Sequence, residues 1–212
     1  MEDRKRIVRE HYEPLLAKYS SGYEILDWES QDCQIKRFEV FADNVELSGK
    51  KILDVGCGTG DLYGYLKDKN LNVDYYGIDI LDKMIERANT IYPDGRFFTG
   101  DIFTKSPFSK KQFDIIFCSG VFNLNMGDNY TFLKEALPVF FTHSKELVVF
   151  NLLDPGHFVN TQKYYFFSHK EVLHLIRPYS NNVRTVTGYI PNDFTVLAEV
   201  KERDRRKDGS RI

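Results

Sequence analysis

The sequence predicts an α/β fold: a doubly wound, mostly parallel seven-stranded sheet with an antiparallel terminal hairpin, preceded by an N-terminal helical segment. Three observations predict it. From Lys51 onward, five short apolar runs are interleaved with segments of helical period. The runs at 113–119 and 146–152 are apolar almost throughout, which suits central strands covered on both faces. The last two strand-like runs are joined by the turn Pro191-Asn192-Asp193, which reads as an antiparallel hairpin at one edge.

Each element has its own warrant. Arg4–Tyr19 reads as a helix with Ile7, Val8, Leu15 and Leu16 as apolar positions, and Pro14 predicts that it divides into two short pieces. Ser20-Ser21-Gly22 breaks it, and Tyr23–Ser30 is an irregular link carrying the only tryptophan, Trp28. Ile35–Leu47 is a second helix, because Ile35, Phe38, Phe41, Ala42 and Val45 recur at helical spacing. Lys51–Val55, Val73–Asp79, Arg96–Thr99, Phe113–Ser119 and Glu146–Leu152 are the five strands of the alternation. Asp61–Lys69 and Leu81–Ile91 are helices between them, the second ending near Pro93-Asp94-Gly95. Asn129–Thr142 is a helix bent or split at Pro138. Ser168–Ile176 is a helix with Ser168 as N-cap and Glu171 at the capping-box position. Val183–Ile190 and Phe194–Lys201 form the hairpin. Residues 1–49 are thus expected as a helical lid or cap, 50–201 as the sheet domain, and 202–212 as a charged tail that frays.

The 212 residues suit one large domain, and 42% hydrophobic with 28% charged residues is ordinary for a soluble globular chain. The net charge of −2 gives no global field toward nucleic acid or anionic lipid. Cys33, Cys57 and Cys118 are too scattered for a disulfide framework or a metal site. No run reaches the roughly 18 apolar residues of a membrane span, and the N-terminus has no apolar leader region. The expectation is a cytoplasmic enzyme or binding protein without membrane or nucleic-acid partners.

The stretch 52–61, ILDVGCGTGD, packs Gly56, Gly58 and Gly60 between a strand and a helix. Glycine there lets backbone approach a ligand, as in dinucleotide sites and in sites for adenosyl sulfonium compounds. A pyrophosphate fingerprint would put glycine at position 61. Here Asp61 stands there, and Asp54 precedes the turn. Two carboxylates suit a ligand carrying an ammonium and a sulfonium better than a dianion. Asp79, ending the second strand, is placed to accept both ribose hydroxyls. Asp101 after the third strand is placed to accept from an adenine amine, with Ile80 and Ile102 closing on the ring. Ser119, Gly120 and Val121 end the fourth strand with small residues at the crevice.

LDVGCGTG, the acid in YGIDI, FTGDIF and FDIIFCSGVFNL together resemble the successive motifs of class I S-adenosylmethionine-dependent methyltransferases, in particular the small single-domain branch. The resemblance runs from about Lys50 to Leu152, and the strands after Ser180 are similar to the family's terminal hairpin. It implies a Rossmann-like fold, S-adenosylmethionine as cofactor and S-adenosylhomocysteine as product. It also implies Gly56, Gly58 and Gly60 along the methionine part, with Asp54 near its ammonium. Asp79 would hold the ribose, Asp101 and Ile102 the adenine, and Ser119, Gly120 and Val121 would floor the crevice. By position before the first strand in such proteins, Trp28 and Arg37 are implied as parts of a lid.

No general base announces itself. Asn123 and His157 are the candidates near the acceptor, each with an ordinary reading as a loop or surface residue. The fourth-strand motif CSGV is not the Asn/Asp-Pro-Pro-aromatic motif of exocyclic-amine nucleic-acid methyltransferases, and there is no Pro-Cys nucleophile. A small-molecule acceptor is therefore expected, with a protein side chain as the alternative. Two rival functions stand beside it: a nicotinamide oxidoreductase, which Asp61 argues against, and a non-catalytic protein that binds the methionine derivative.

Overall fold

Strands β1 (Lys51–Val55), β2 (Asp74–Asp79), β3 (Phe97–Thr99), β4 (Phe113–Cys118) and β5 (Ser144–Leu153) run parallel in one sheet. β6 (Val183–Thr187) and β7 (Asp193–Glu199) close one edge, β7 lying antiparallel to both β5 and β6. The order is β3-β2-β1-β4-β5-β7-β6. It reverses between β1 and β4, and at such a reversal a crevice opens above the carboxyl ends of the strands. This computed structural model describes residues 2–156 and 162–201, so His157 and the run 202–212 lie outside the described residues.

The sheet is covered on both faces, and the side-chain alternation shows why its centre is largely apolar. Val148, Phe150 and Leu152 of β5 pack with Phe140 of α6 (Asn129–His143) and Val172 of α7 (His169–Ile176). Val149, between them, packs on the other face with Phe41 of α3 (Gln31–Asn44), Leu62 of α4 (Asp61–Asp68) and Ile85 of α5 (Asp82–Ile91). A strand flanked by two apolar layers has no face turned to water, so its few polar residues, such as Asn151 of β5 and Asp54 of β1, are hydrogen-bonded inside the protein.

The N-terminal segment divides. α3 joins the sheet layer through Phe38 and Phe41. α1 (Glu2–Lys18) and α2 (Gly22–Ile25) form a smaller apolar cluster, in which Val8, Tyr12 and Leu16 meet Ile25, Leu81 and Met84. That burial corrects the expected break at Pro14, because α1 runs through it as one helix. The lost N–H and ring clash are offset by an apolar face seated along its length. α6 likewise continues through Pro138, with Leu137, Phe140 and Phe141 buried around it. The link after Gly22 contains one helical turn, anchored by fully buried Ile25. α3 begins four residues before its apolar pattern (Gln31 against Ile35), since Ser30 Oγ accepts from the Cys33 amide at 3.1 Å and caps it. The capping box of α7 forms as expected, with Ser168 and Glu171 satisfying each other's amides. Among the described residues no helix is long and apolar enough to cross a membrane, and no His/Cys/Asp/Glu group could hold a metal ion.

Candidate functional site

A crevice of about 590 Å³ opens above the carboxyl ends of β1 to β5, a volume in the range of small-molecule sites. Its floor is backbone. Gly56 follows β1 at φ +75°, and a Cβ there would stand 2.2 Å from Val121 Cγ2. Gly120 follows β4 at φ +80°, and a Cβ there would stand 2.7 Å from the Trp28 ring. Both positions need glycine for conformation and for space. Two buried asparagines hold the loop after β4. Asn151 Oδ1 accepts from the Gly120 amide at 3.0 Å. Asn129 Nδ2 donates to the carbonyls of Phe122 and Leu124, at 2.9 and 2.7 Å, and its Oδ1 accepts from the Met126 amide at 2.8 Å. Asn123 and Ser119, carried by this loop, line the crevice, and Asn123 Oδ1 and Ser119 Oγ are buried with no hydrogen-bond partner among the described residues.

The acids take three different positions. Asp79 ends β2 on the crevice wall, its Oδ2 accepting from Gly58 N at 3.0 Å and its Oδ1 from Leu81 N at 2.9 Å. Burial pushes its carboxyl up, and amides of Leu81, Gly58 and Ile80 pull it back. Asp101 lines the crevice beyond β3, its Oδ1 accepting from Phe103 N at 2.9 Å, with Ile80 and Ile102 beside it in the lining. Asp54 is elsewhere. It is buried in β1, does not line the crevice, and takes the Tyr75 hydroxyl at 2.7 Å. Burial pushes it up to about 7 against the pull of that bond. Gly58 and Gly60 do not line the crevice either. The Leu26 side chain stands over Gly58, and Phe97 and Tyr92 stand against Gly60. Asp61 starts α4 without a capping bond; it accepts the Thr59 hydroxyl at 2.5 Å, and its carboxylate fills the space beside Gly22 of α2.

The N-terminal segment supplies the roof. Trp28 lies in the crevice lining, with the Arg37 guanidinium 4.0 Å from its ring centre. Buried Arg37 pairs with Asp193 at the start of β7, and donates to the Cys33 carbonyl at 2.7 Å. Asp193 also takes the Tyr189 hydroxyl and, at 3.3 Å, Asn151 Nδ2. Between Leu26 and Trp28, Asp27 adopts φ +58° and gathers three donors: Lys163 Nζ at 2.6 Å, His11 Nε2 at 3.0 Å and the Tyr164 hydroxyl at 3.3 Å. Burial raises its carboxyl, but the bonds from His11 and Lys163 outweigh it and hold the group at about 2.

Residues 52–140 match the family described as a methyltransferase domain. This stretch is similar to methyltransferase domains. A demethylmenaquinone methyltransferase of Thermotoga maritima is 34% identical to this chain over 123 residues, which are 58% of this chain and 52% of that protein. The match thus spans about half the length of that relative. The methyltransferase fold extends further than the sequence match. Magnesium protoporphyrin IX methyltransferase from Synechocystis PCC 6803, solved with S-adenosylhomocysteine, aligns at a TM-score of 0.67 and 15% identity, over 93% of this chain and all of that one (100%). Geranyl diphosphate C-methyltransferase from Streptomyces coelicolor A3(2) aligns at 0.64 and 11%, over 94% and 98%. The doubly wound sheet and its motifs were legible before these comparisons. The roof of the crevice was not. His11, Asp27 and Asp193 come from distant segments with no shared spacing, whereas Asn151 did leave a signal, as a lone amide in the apolar run LVVFNLL.

Proposed function

We propose that the chain transfers a methyl group from S-adenosylmethionine to a small-molecule acceptor, releasing S-adenosylhomocysteine. The observation that carries this reading is the pair of crevice acids Asp79 and Asp101 beside a floor of bare backbone at Gly56 and Gly120. Asp79 Oδ2 accepts from Gly58 N and Oδ1 from Leu81 N, and a carboxylate has about four acceptor sites, which leaves capacity for ribose hydroxyls. Asp101 Oδ2 is available to an adenine amine, and Ile80 and Ile102 supply apolar contact for the ring. Ser119 Oγ and Asn123 Oδ1, buried without described partners, fit a site whose polar groups a ligand satisfies. Asp54 in β1 and Asp61 at the start of α4 flank the glycine turn without lining the crevice, and Asp61 in place of a glycine argues against a pyrophosphate there. Gly58 and Gly60 shape that turn.

When bound, the sulfonium supplies an electrophilic methyl carbon, whose bond to sulfur breaks with the electron pair left on sulfur. The chain's own residues position and exclude water. Val121 and Gly120 set the depth of the floor, Asn123 accepts from an N–H or O–H of the acceptor, and Trp28 with Arg37 covers the cofactor end as part of a lid formed by residues 1–49. His157 keeps a place as a candidate near the acceptor by its order after β5. Leu124, Met126, Leu153, Phe166 and Ile190 in the lining support a small apolar acceptor, as do the small molecules in the names of the related proteins.

The test is thermal. S-adenosylhomocysteine at a hundredfold excess over its dissociation constant should stabilise the fold by about 2.7 kcal/mol, raising Tm by roughly 5–10 °C for a chain of this size. NAD should do nothing. Equal stabilisation by NAD, or none by either adenosyl compound, would sink the cofactor assignment. A radiolabelled methyl screen over small-molecule acceptors then tests the transfer itself. Cofactor binding with no transfer to any of them would leave the non-catalytic reading.

A further inference from the structure

We infer that His11, held by Asp27, takes the proton from a hydroxyl group on a largely apolar acceptor, so that the methylated atom is oxygen. This rests on reading the crevice as an S-adenosylmethionine site. His11 lies on α1, lines the crevice, and meets Asp27 Oδ2 through Nε2 at 3.0 Å. A carboxylate can only accept, so Nε2 carries the hydrogen. The lone pair of the neutral ring is then on Nδ1, which hydrogen-bonds to no described residue. The shared carboxylate matters for charge. Lys163 Nζ, 2.6 Å from the same oxygen, already neutralises Asp27, so the pair does not require a cationic imidazole. The Tyr164 hydroxyl donates to the same Asp27 oxygen at 3.3 Å, and the Tyr12 ring stands edge-on to His11 at 4.6 Å. Arg4, Arg37, Glu29, Asp79 and Asp101 are the other charged residues of the lining.

The neighbouring wall decides the acceptor class. Leu124, Met126, Phe132, Tyr164 and Phe166 line the crevice; Tyr164 bonds Asp27 and is tied to Leu124 by a β-bridge. Such a wall suits a planar apolar molecule. An amine acceptor would arrive with a positive charge, yet Asp27, the carboxylate bonded to His11, is already engaged by Lys163. A hydroxyl arrives neutral and is a poor nucleophile until its proton is taken. As its oxygen bonds to the methyl carbon, the O–H bond breaks; the proton passes to Nδ1 of His11 and then to water.

The probe is 4-nitrophenol, whose phenolate is coloured and whose phenol is not. Calorimetry first establishes that the wild type binds S-adenosylhomocysteine. Added to that complex, the probe should titrate about tenfold more acidic than it does free, one unit of pKa. His11→Asn should abolish the shift in a variant that calorimetry shows still binds S-adenosylhomocysteine and whose circular dichroism spectrum is that of the wild type. Asp27→Asn should weaken the shift and let the His11 ring populate both tautomers, read by nitrogen-15 NMR. No S-adenosylhomocysteine binding by the wild type would overturn the cofactor reading and this assignment with it. Binding of S-adenosylhomocysteine with an unshifted or unbound probe, or a shift that survives His11→Asn, would overturn the assignment to His11 alone.

Discussion

Three carboxyls near the glycine turn show how position sets the work of one functional group. Asp79 faces the crevice and is oriented by amides of Gly58 and Leu81. Asp79→Ala should weaken S-adenosylhomocysteine binding by on the order of 2–3 kcal/mol, because hydrogen bonds to charged groups are worth about that much. The fold should survive, and unchanged affinity in calorimetry of a folded variant would count against the ribose role. Asp54 is buried under the floor at about 7, above the ordinary carboxyl value of about 3.9. Its folded value is raised, so the neutral form is the one the fold prefers. Below about pH 4 it withdraws nothing, and it withdraws stability progressively as pH rises from about 4 to 7. Asp54→Asn keeps an oxygen for Tyr75 and removes that loss, so the variant should gain Tm over the wild type at pH 8 and not at pH 4. Parallel Tm curves across that range would refute it. Asp27 has the opposite sign. Held at about 2, it contributes stability above about pH 4 that is lost as pH falls toward 2.

The helices of the N-terminal segment differ in how they attach, and their dynamics should differ accordingly. α3 is fixed to the sheet by Phe38, Phe41 and the buried Arg37–Asp193 pair. Arg37→Met strands a buried carboxylate and should destabilise by about 3–5 kcal/mol in chemical denaturation. Adding Asp193→Asn should recover part of the loss, and equal single and double variants would exclude the pair as the cause. α1, α2 and the residues to 30 rest on a smaller cluster and on the Asp27 contacts. Amide exchange there should slow on adding S-adenosylhomocysteine, while α3 is protected throughout. Protection confined to Gly56–Gly60 would leave the lid without support. The same division separates what could be read in the sequence from what could not. The strand rhythm, the glycine turn, Asp79 and Asp101 sit in contiguous motifs, where local spacing carries the signal. α1 through Pro14 could not be read, because the burial that outweighs the proline comes from Ile25, Leu81 and Met84, far along the chain. The Asp27 cluster is assembled from positions 11, 27, 163 and 164, and only the folded chain makes them neighbours.

Across the whole molecule, one buried polar chain joins the hairpin edge to the crevice. Arg37 pairs with Asp193, Asp193 takes Asn151 Nδ2, Asn151 Oδ1 takes the Gly120 amide, and Trp28 rests on Gly120 beneath Arg37. The reversal of strand order makes the crevice, and this chain makes its floor and its cover respond to the same contacts. Trp28 is the one indole in 212 residues. It lies in the crevice lining with a guanidinium over one face, so its emission reports a single place in the protein. Filling the crevice changes the polarity around that ring, and a fluorescence titration therefore reads occupancy directly, with no label attached and no acceptor known.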